Sequence, residues 1–261
     1  RGDQYVVALA LVEDGLVQIG VLGCPNLLDG YRPDYEGEGS LVVAVRGQGS
    51  WVASLISPHY FDPLRTSRRH DPSTARLLRS FESRHTNPSQ IEELVTSLGI
   101  STQAIAMDSQ AKYCVLASGK ADLMLRLLSP AHPDYREKIW DHAAGLLVLT
   151  EAGGMVTDLD GKPLDFSVGR TLANNRGVLA FVDLVLVTHL ADVGRVGEDL
   201  VHAALVENPA ASRNTLLGRP LLGPPAPPVQ FLGHGNQRAE FQVQGKDLTH
   251  LLGLGFRHDE L

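Results

Sequence analysis

Three short segments carry polar residues whose types and spacing could bind a phosphate group. The first runs from Asp108 to Lys112, where a strand is predicted to end and a helix to begin. Free N–H groups at a helix start, the Ser109 hydroxyl, and a cation three positions later on the same face could together hold an anion. A capping serine followed by a solvated lysine would explain the same residues. Ser109 and Lys112 are therefore candidate phosphate ligands with a structural alternative.

The second segment is a predicted strand that ends near Arg126. Alternation along the strand places Asp122, Met124 and Arg126 on one face. The forked donors of an arginine could clamp a phosphate. An ion pair of Arg126 with Asp122 or Glu137 is the alternative, and the residues alone leave both open.

The third segment contains Asp141, in the first turn of a helix predicted over residues 137–152. The helix dipole alone would favour a carboxylate there. A carboxylate held rigidly among packing residues could also serve as one ligand of Mg²⁺. One carboxylate does not make a metal site, so the spacing predicts a single ligand at most.

Hydrophobic patterning predicts the elements that must position these side chains. Two pairs of apolar runs, each flanking a glycine-containing turn, predict an antiparallel meander over residues 5–56. The pairs are 5–12 with 16–22, and 41–45 with 50–55. Strands alternating with helices over residues 81–182 predict an α/β unit with mixed or parallel pairing. Its helices are predicted over 88–98, 108–116 and 137–152, and its strands over 103–107, 121–127, 155–157 and 177–182.

Beyond residue 182 the pattern weakens. A helix is predicted over residues 198–206, and five prolines between residues 219 and 228 predict irregular structure. We therefore expect a third region, 183–261, to be a divergent and partly disordered tail.

Composition excludes several classes of protein. The net charge of −7 argues against a nucleic-acid partner. The longest apolar runs fall short of the ~20 residues of a membrane helix, so no membrane partner is expected. Two cysteines cannot form a disulfide framework, which favours a reducing compartment, here predicted to be the cytoplasm. The oligomeric state is not predicted.

Several motifs occur in an order that resembles the inositol monophosphatase superfamily, and within it the 3′(2′),5′-bisphosphate nucleotidases. The resemblance spans residues 1 to about 182. The motifs are RGDQY at 1–5, GVLGCPN at 20–26, DSQAKY at 108–113, WDHAAG at 140–145, EAGG at 151–154 and GKPLDF at 161–166.

The resemblance implies a layered αβαβα sandwich of the α/β class, incomplete at its N-terminus and followed by the irregular tail. Residues 1–60 would be the remnant of an N-terminal antiparallel sheet, and residues 61–182 the C-terminal α/β phosphatase domain. Enzymes of the family that the chain resembles act on a small-molecule substrate. They remove the 3′-phosphate of 3′-phosphoadenosine 5′-phosphate, giving AMP, with Mg²⁺ and an activated water. Inositol phosphate hydrolysis, or phosphonucleotide binding without catalysis, are the alternatives.

The resemblance also assigns roles to particular residues. Asp141 would be a metal ligand for Mg²⁺, and Ser109, Lys112 and Arg126 would hold the substrate phosphate. His85 falls where the family has a histidine near the nucleotide, although its flanking residues depart from the family pattern.

The family's main metal site uses paired glutamates and an Asp-Pro-Ile-Asp-Gly-Thr motif, and residues 1–261 contain neither. The segment 158–161 is no substitute, because Lys162 stands where the threonine should be, and it is predicted to be a polar turn. The catalytic residues are therefore expected upstream of Arg1. We accordingly expect these 261 residues alone to have little or no phosphatase activity.

Overall fold

A computed structural model describes most of the chain up to residue 182. The described residues are 4–69, 71–80, 91–92, 95–96, 99–127 and 134–182, together with the backbone of three short strands between residues 230 and 247.

The first part of the chain forms a five-stranded antiparallel sheet in the order β1-β2-β5-β6-β7. Its strands are β1 (Val7–Glu13), β2 (Leu16–Cys24), β5 (Ser40–Val45), β6 (Gly49–Ser54) and β7 (Asp62–Pro63), and a small ribbon of β3 (Leu27–Leu28) with β4 (Arg32–Pro33) precedes β5. Asp14 and Gly15 have φ angles of +51° and +75° at the first turn. Positive φ at both central residues matches the twist of a tight hairpin, so Asp-Gly suits this position. The predicted meander is confirmed.

A second five-stranded sheet has the order β11-β12-β10-β8-β9. Its strands are β8 (Leu77–Arg79), β9 (Ile105–Ala106), β10 (Leu123–Arg126), β11 (Met155–Thr157) and β12 (Val178–Phe181). The central strand β10 is parallel to β8 and antiparallel to β12. The predicted mixed pairing is confirmed, and β10 carries Arg126 at its end.

Two α-helices are described over their full length, α1 (Ala111–Ala117), between β9 and β10, and α2 (Ala143–Glu151), between β10 and β11. The helix predicted over 137–152 is wrong in its first turn, because residues 139–141 form a 3₁₀ turn and His142 leaves helical geometry at φ −134°. The cause is Gln110, whose Nε2 donates to the Trp140 carbonyl while its Oε1 accepts from the Gly145 N–H, both at 2.8 Å. A side chain thus takes backbone groups that a continuous helix would use itself.

The predicted helix between residues 88 and 98 is described only at residues 91, 92, 95 and 96, which are helical. The rest of that prediction lies outside the described residues.

The apolar core is continuous between the two sheets, since one cluster of buried residues extends from Val17 to Val182. Helix α2 contacts β2 and β5 of the first sheet, β11 of the second, and α1. A helix surrounded in this way is apolar on all sides, which is why α2 has no polar face. The division proposed at residue 60 stays a prediction, and the core extends across it.

A separate unit, residues 219–261, contains a three-stranded antiparallel sheet. Its strands are β13 (Gln230–Phe231), β14 (Phe241–Val243) and β15 (Lys246–Asp247). The predicted helix over 198–206 and the proline cluster lie outside the described residues. Within the part of the chain that the structure describes, no helix has the length and apolar character needed to cross a bilayer.

Candidate active site

A cavity of about 600 Å³ lies among α1, the end of β10, the 3₁₀ turn at 139–141 and the start of the first sheet. Four of the predicted site residues line it: Ser109, Lys112, Arg126 and Asp141. They come from three separate stretches of sequence, so the fold is what assembles them. The fifth, His85, lies outside the described residues.

Ser109 sits at the sharp bend that leads into α1. Its φ of +63° places it in the left-handed region, which a non-glycine residue rarely adopts. Its Oγ accepts a hydrogen bond from the Ala111 N–H at 3.3 Å. The predicted capping serine is wrong, because the N-cap of α1 is Gln110, and Ser109 instead braces the bend before it while facing the cavity.

Lys112 is buried, with only 5% of its surface exposed, and its Nζ donates to Ser80 Oγ at 2.8 Å. The alternative of a solvated lysine is wrong. Burial, together with the nearby charge of Arg126, lowers the pKa of Lys112 to about 8. An incoming anion would meet a dehydrated ammonium group, whose attraction for negative charge is stronger than in water.

Arg126 forms the ion pair with Glu137 that the sequence allowed, through Nε and Oε1 at 2.6 Å. The other possible partner, Asp122, instead pairs with Arg76. Arg126 also lines the cavity, so the ion pair and the phosphate-binding role are compatible. Although burial acts to raise it, the pKa of Glu137 is lowered to about 2 by His142 and Arg126. Glu137 is therefore an anion at neutral pH.

The same carboxylate continues a buried chain of hydrogen bonds. Glu137 Oε2 lies 3.2 Å from His142 Nε2, and His142 Nδ1 lies 2.8 Å from the Tyr113 hydroxyl. Burial raises the pKa of Tyr113, so its hydroxyl keeps the proton. The ionised Glu137 can only accept, so Nε2 of His142 donates to it. The ring of His142 is thereby fixed between Glu137 and Tyr113.

Asp141 lies half-buried on the 3₁₀ turn, which Gln110 ties to the start of α1. No group of three or more acidic, histidine or cysteine side chains that could hold a metal occurs among the described residues. Two carboxylates line the cavity, Asp108 and Asp141, beside the cations Lys112 and Arg126. Mg²⁺ often takes one or two carboxylates and completes its shell with water and phosphate oxygens, so Asp141 fits as one such ligand.

Sequence reasoning missed the roles of Ser80, His142 and Tyr113, and it named Glu137 only as a possible ion-pair partner of Arg126. Glu137 and His142 are five residues apart, a spacing that would place them on different faces of the predicted helix. The break at His142 brings them together, and no local pattern announces that break. The polar turn predicted at 158–161 is confirmed: buried Asp158 accepts from the N–H groups of Asp160 and Lys162, outside the cavity lining.

The fold and the cavity define an α/β protein with a cavity lined by the cationic side chains of Lys112 and Arg126. The inositol monophosphatase family profile matches residues 1–187 of the chain. The chain therefore belongs to the inositol monophosphatase family.

Comparison with known proteins agrees with this assignment. The chain is 43% identical over 193 residues to 3′(2′),5′-bisphosphate nucleotidase 1 of Candida albicans (strain WO-1), covering 69% of this chain and 52% of that protein. It is 43% identical over 183 residues to the 3′(2′),5′-bisphosphate nucleotidase of Schizosaccharomyces pombe, covering 69% and 51%. The structure resembles inositol monophosphatase from Anabaena (Nostoc) sp. PCC 7120 with a TM-score of 0.52 and 22% identity, covering 73% and 65%. The predicted fold class is confirmed, and the chain spans about half the length of the curated relatives it matches.

Proposed function

We propose that this chain is part of a Mg²⁺-dependent 3′(2′),5′-bisphosphate nucleotidase, which removes the 3′-phosphate of adenosine 3′,5′-bisphosphate to give AMP. The observation that carries the proposal is the meeting of Lys112 and Arg126 with Ser109 and Asp141 in one cavity. The names of the similar proteins support a nucleotide substrate over an inositol phosphate.

The residues of this chain would bind and orient the phosphate. Lys112 and Arg126 offer two positive charges, and Ser109 offers a hydroxyl donor at the entrance of α1. Charge-assisted hydrogen bonds of this kind are among the stronger polar contacts in proteins. Because Lys112 is already buried and hydrogen-bonded to Ser80, its side chain loses little conformational entropy when the phosphate binds.

Asp141 would hold Mg²⁺ as one ligand of a shell completed by the phosphate. When bound, Mg²⁺ neutralises the transferring oxygens and lowers the pKa of a coordinated water. The 261 residues contain no Asp-Pro-Ile-Asp-Gly-Thr segment to supply further carboxylates. We therefore propose that they bind the nucleotide and turn it over slowly.

His85 remains a proposed contact to the nucleotide. The cytoplasm remains the proposed compartment, and the free thiols of Cys24 and Cys114 support it.

Calorimetric titration of residues 1–261 with adenosine 3′,5′-bisphosphate and with inositol 1-phosphate tests recognition. We expect tighter binding of the nucleotide, and loss of that binding in Lys112→Met. Tighter binding of the inositol phosphate would instead make the chain an inositol phosphatase.

Hydrolysis is tested by joining residues 1–261 to the upstream half of the Candida albicans relative and measuring Mg²⁺-dependent phosphate release. We expect release from the joined protein, little from residues 1–261, and none from the joined protein with Asp141→Asn. Rapid release from residues 1–261 alone would overturn the proposed slow turnover.

A further inference from the structure

We infer that Glu137 is a positioning residue for phosphate binding, which acts by holding the guanidinium of Arg126 at the cavity wall and balancing the two cations there. The inference rests on the proposed phosphate-binding role of the cavity. It goes beyond that role because Glu137 touches neither the phosphate nor the metal in the proposed arrangement.

The first argument is geometric. Glu137 is 4% exposed, and both of its oxygens are engaged, one by Arg126 Nε and the other by His142 Nε2. His142 is itself fixed through Tyr113. The carboxylate therefore cannot turn without breaking two hydrogen bonds, and the Nε edge of Arg126 is held with it.

The second argument concerns the N–H donors of Arg126 that do not bond to Glu137. A guanidinium has five N–H donors, and the bond to Glu137 Oε1 uses the one on Nε. The two terminal nitrogens carry the other four. Tyr135, which also lines the cavity, hydrogen-bonds the guanidinium as well. A carboxylate on the Nε edge thus orients Arg126 and does not itself occupy the terminal nitrogens that fork around an oxyanion.

The third argument is electrostatic. Lys112 and Arg126 place two positive charges in one cavity, and the charge of Arg126 disfavours the protonated form of Lys112. Asp108 and Glu137 act in the opposite direction and raise the pKa of Lys112. Removing Glu137 would therefore free Arg126 from its fixed position and weaken the charge on Lys112 together. Both effects reduce phosphate affinity, although Glu137 is itself negative.

A double-mutant cycle tests the inference, with adenosine 3′,5′-bisphosphate binding to residues 1–261 measured by calorimetry at neutral pH. Glu137→Ala should weaken binding roughly tenfold or more. Glu137→Gln keeps an oxygen for Arg126 Nε and should lose less. In the Arg126→Met background, Glu137→Ala should cost clearly less affinity than it does in the wild-type chain, because only its effect on the charge of Lys112 remains.

Asp122→Asn is the matched control. Asp122 is also a fully buried carboxylate bonded to an arginine, but it stands before β10, at the end opposite Arg126, and does not line the cavity. This variant should lower the melting temperature and leave nucleotide affinity unchanged. If Glu137 only stabilised the fold, Glu137→Ala would also lower the melting temperature and leave nucleotide affinity unchanged.

The inference is overturned if Glu137→Ala binds the nucleotide as tightly as the wild-type chain or more tightly. It is also overturned if the fold-losses of affinity caused by Glu137→Ala and Arg126→Met multiply in the double variant. Absence of nucleotide binding in the wild-type chain would overturn it as well. Binding without hydrolysis in the joined protein would remove the proposed nucleotidase activity and leave the role of Glu137 intact.

Discussion

Lys112 illustrates how burial prepares a side chain for an anion. The lysine is held by Ser80 in a site where its charge is poorly hydrated and where Arg126 repels it. Its proton is therefore less firmly held than that of a surface lysine. A bound phosphate would relieve both penalties at once, so phosphate binding and protonation of Lys112 are coupled.

This coupling predicts a pH dependence. The free protein carries a charged Lys112 below a pKa of about 8 and a largely neutral one above it. We expect affinity for adenosine 3′,5′-bisphosphate to fall as the pH rises through about 8, measured calorimetrically between about pH 7 and pH 10. Arg keeps its proton over this range, so Lys112→Arg should show a nearly flat profile. A wild-type profile as flat as that of the variant would contradict the assignment.

Asp122 stabilises the fold through buried hydrogen bonds with Arg76 and Ser67, away from the cavity. Although burial acts to raise it, the pKa of Asp122 is lowered by hydrogen bonds from Arg76 and Ser67. A carboxyl whose pKa is lower in the folded state stabilises the fold at neutral pH, and that contribution is lost as the pH falls through the folded-state value.

We expect Asp122→Asn to lower the free energy of unfolding by roughly 2 kcal/mol at neutral pH, since it leaves Arg76 without its charged partner. The difference from wild type should shrink in acid, where wild-type Asp122 is itself protonated. Urea unfolding at several pH values measures both effects. An equal difference at every pH would show that the charge of Asp122 is unimportant.

At the scale of elements, the contact between α2 and β2 depends on a missing side chain. A Cβ at Gly20 would lie 2.7 Å from the Ala144 carbonyl oxygen, a distance that a Cβ atom essentially never shows to a non-bonded atom. A Cβ at Gly23, on the same strand, would meet nothing closer than Leu55 Cδ1, at an ordinary 3.5 Å. Neither glycine has a positive φ, so space alone distinguishes them.

Gly20→Ala should therefore lower the free energy of unfolding by about 1–3 kcal/mol, as overpacking of a tight core does. Gly23→Ala should stay within about 0.5 kcal/mol of wild type. Chemical denaturation of the two variants side by side is the measurement. Equal stabilities would mean that α2 can move away from β2 at little cost.

The elements also show what the sequence could and could not predict. The hairpins follow from adjacent residues, because Asp14-Gly15 and the apolar runs around it are local signals. The break at His142 is not local, since it depends on Gln110, a residue 32 positions earlier. Ser109, Lys112 and Asp141 were found through motifs and Arg126 through its place on a predicted strand, whereas Glu137 owes its place to that break. Long-range hydrogen bonds to side chains are invisible to periodicity.

At the scale of the whole molecule, the two sheets share one core, and α2 contacts both. A shared core couples the unfolding of its parts, because neither sheet can keep its apolar face buried when the other separates.

The chain's two tryptophans allow this coupling to be tested. Trp51 lies buried in β6, whereas Trp140 is half exposed at the cavity. In Trp140→Phe the fluorescence reports on the first sheet, and in Trp51→Phe it reports on the cavity wall. Each variant's fluorescence transition should coincide with its own transition by circular dichroism. A fluorescence transition at a different denaturant concentration would show that the first sheet and the cavity unfold separately.

Cys24 on β2 and Cys114 on α1 face each other, with their sulfur atoms 3.7 Å apart and both side chains inaccessible to water. A thiol reagent can reach either sulfur only after β2 and α1 have separated. The rate of alkylation under native conditions therefore measures how often this interface opens, in the way that amide hydrogen exchange reports local unfolding. The two thiols thus report the opening of the interface between the first sheet and α1, the helix that bears Lys112.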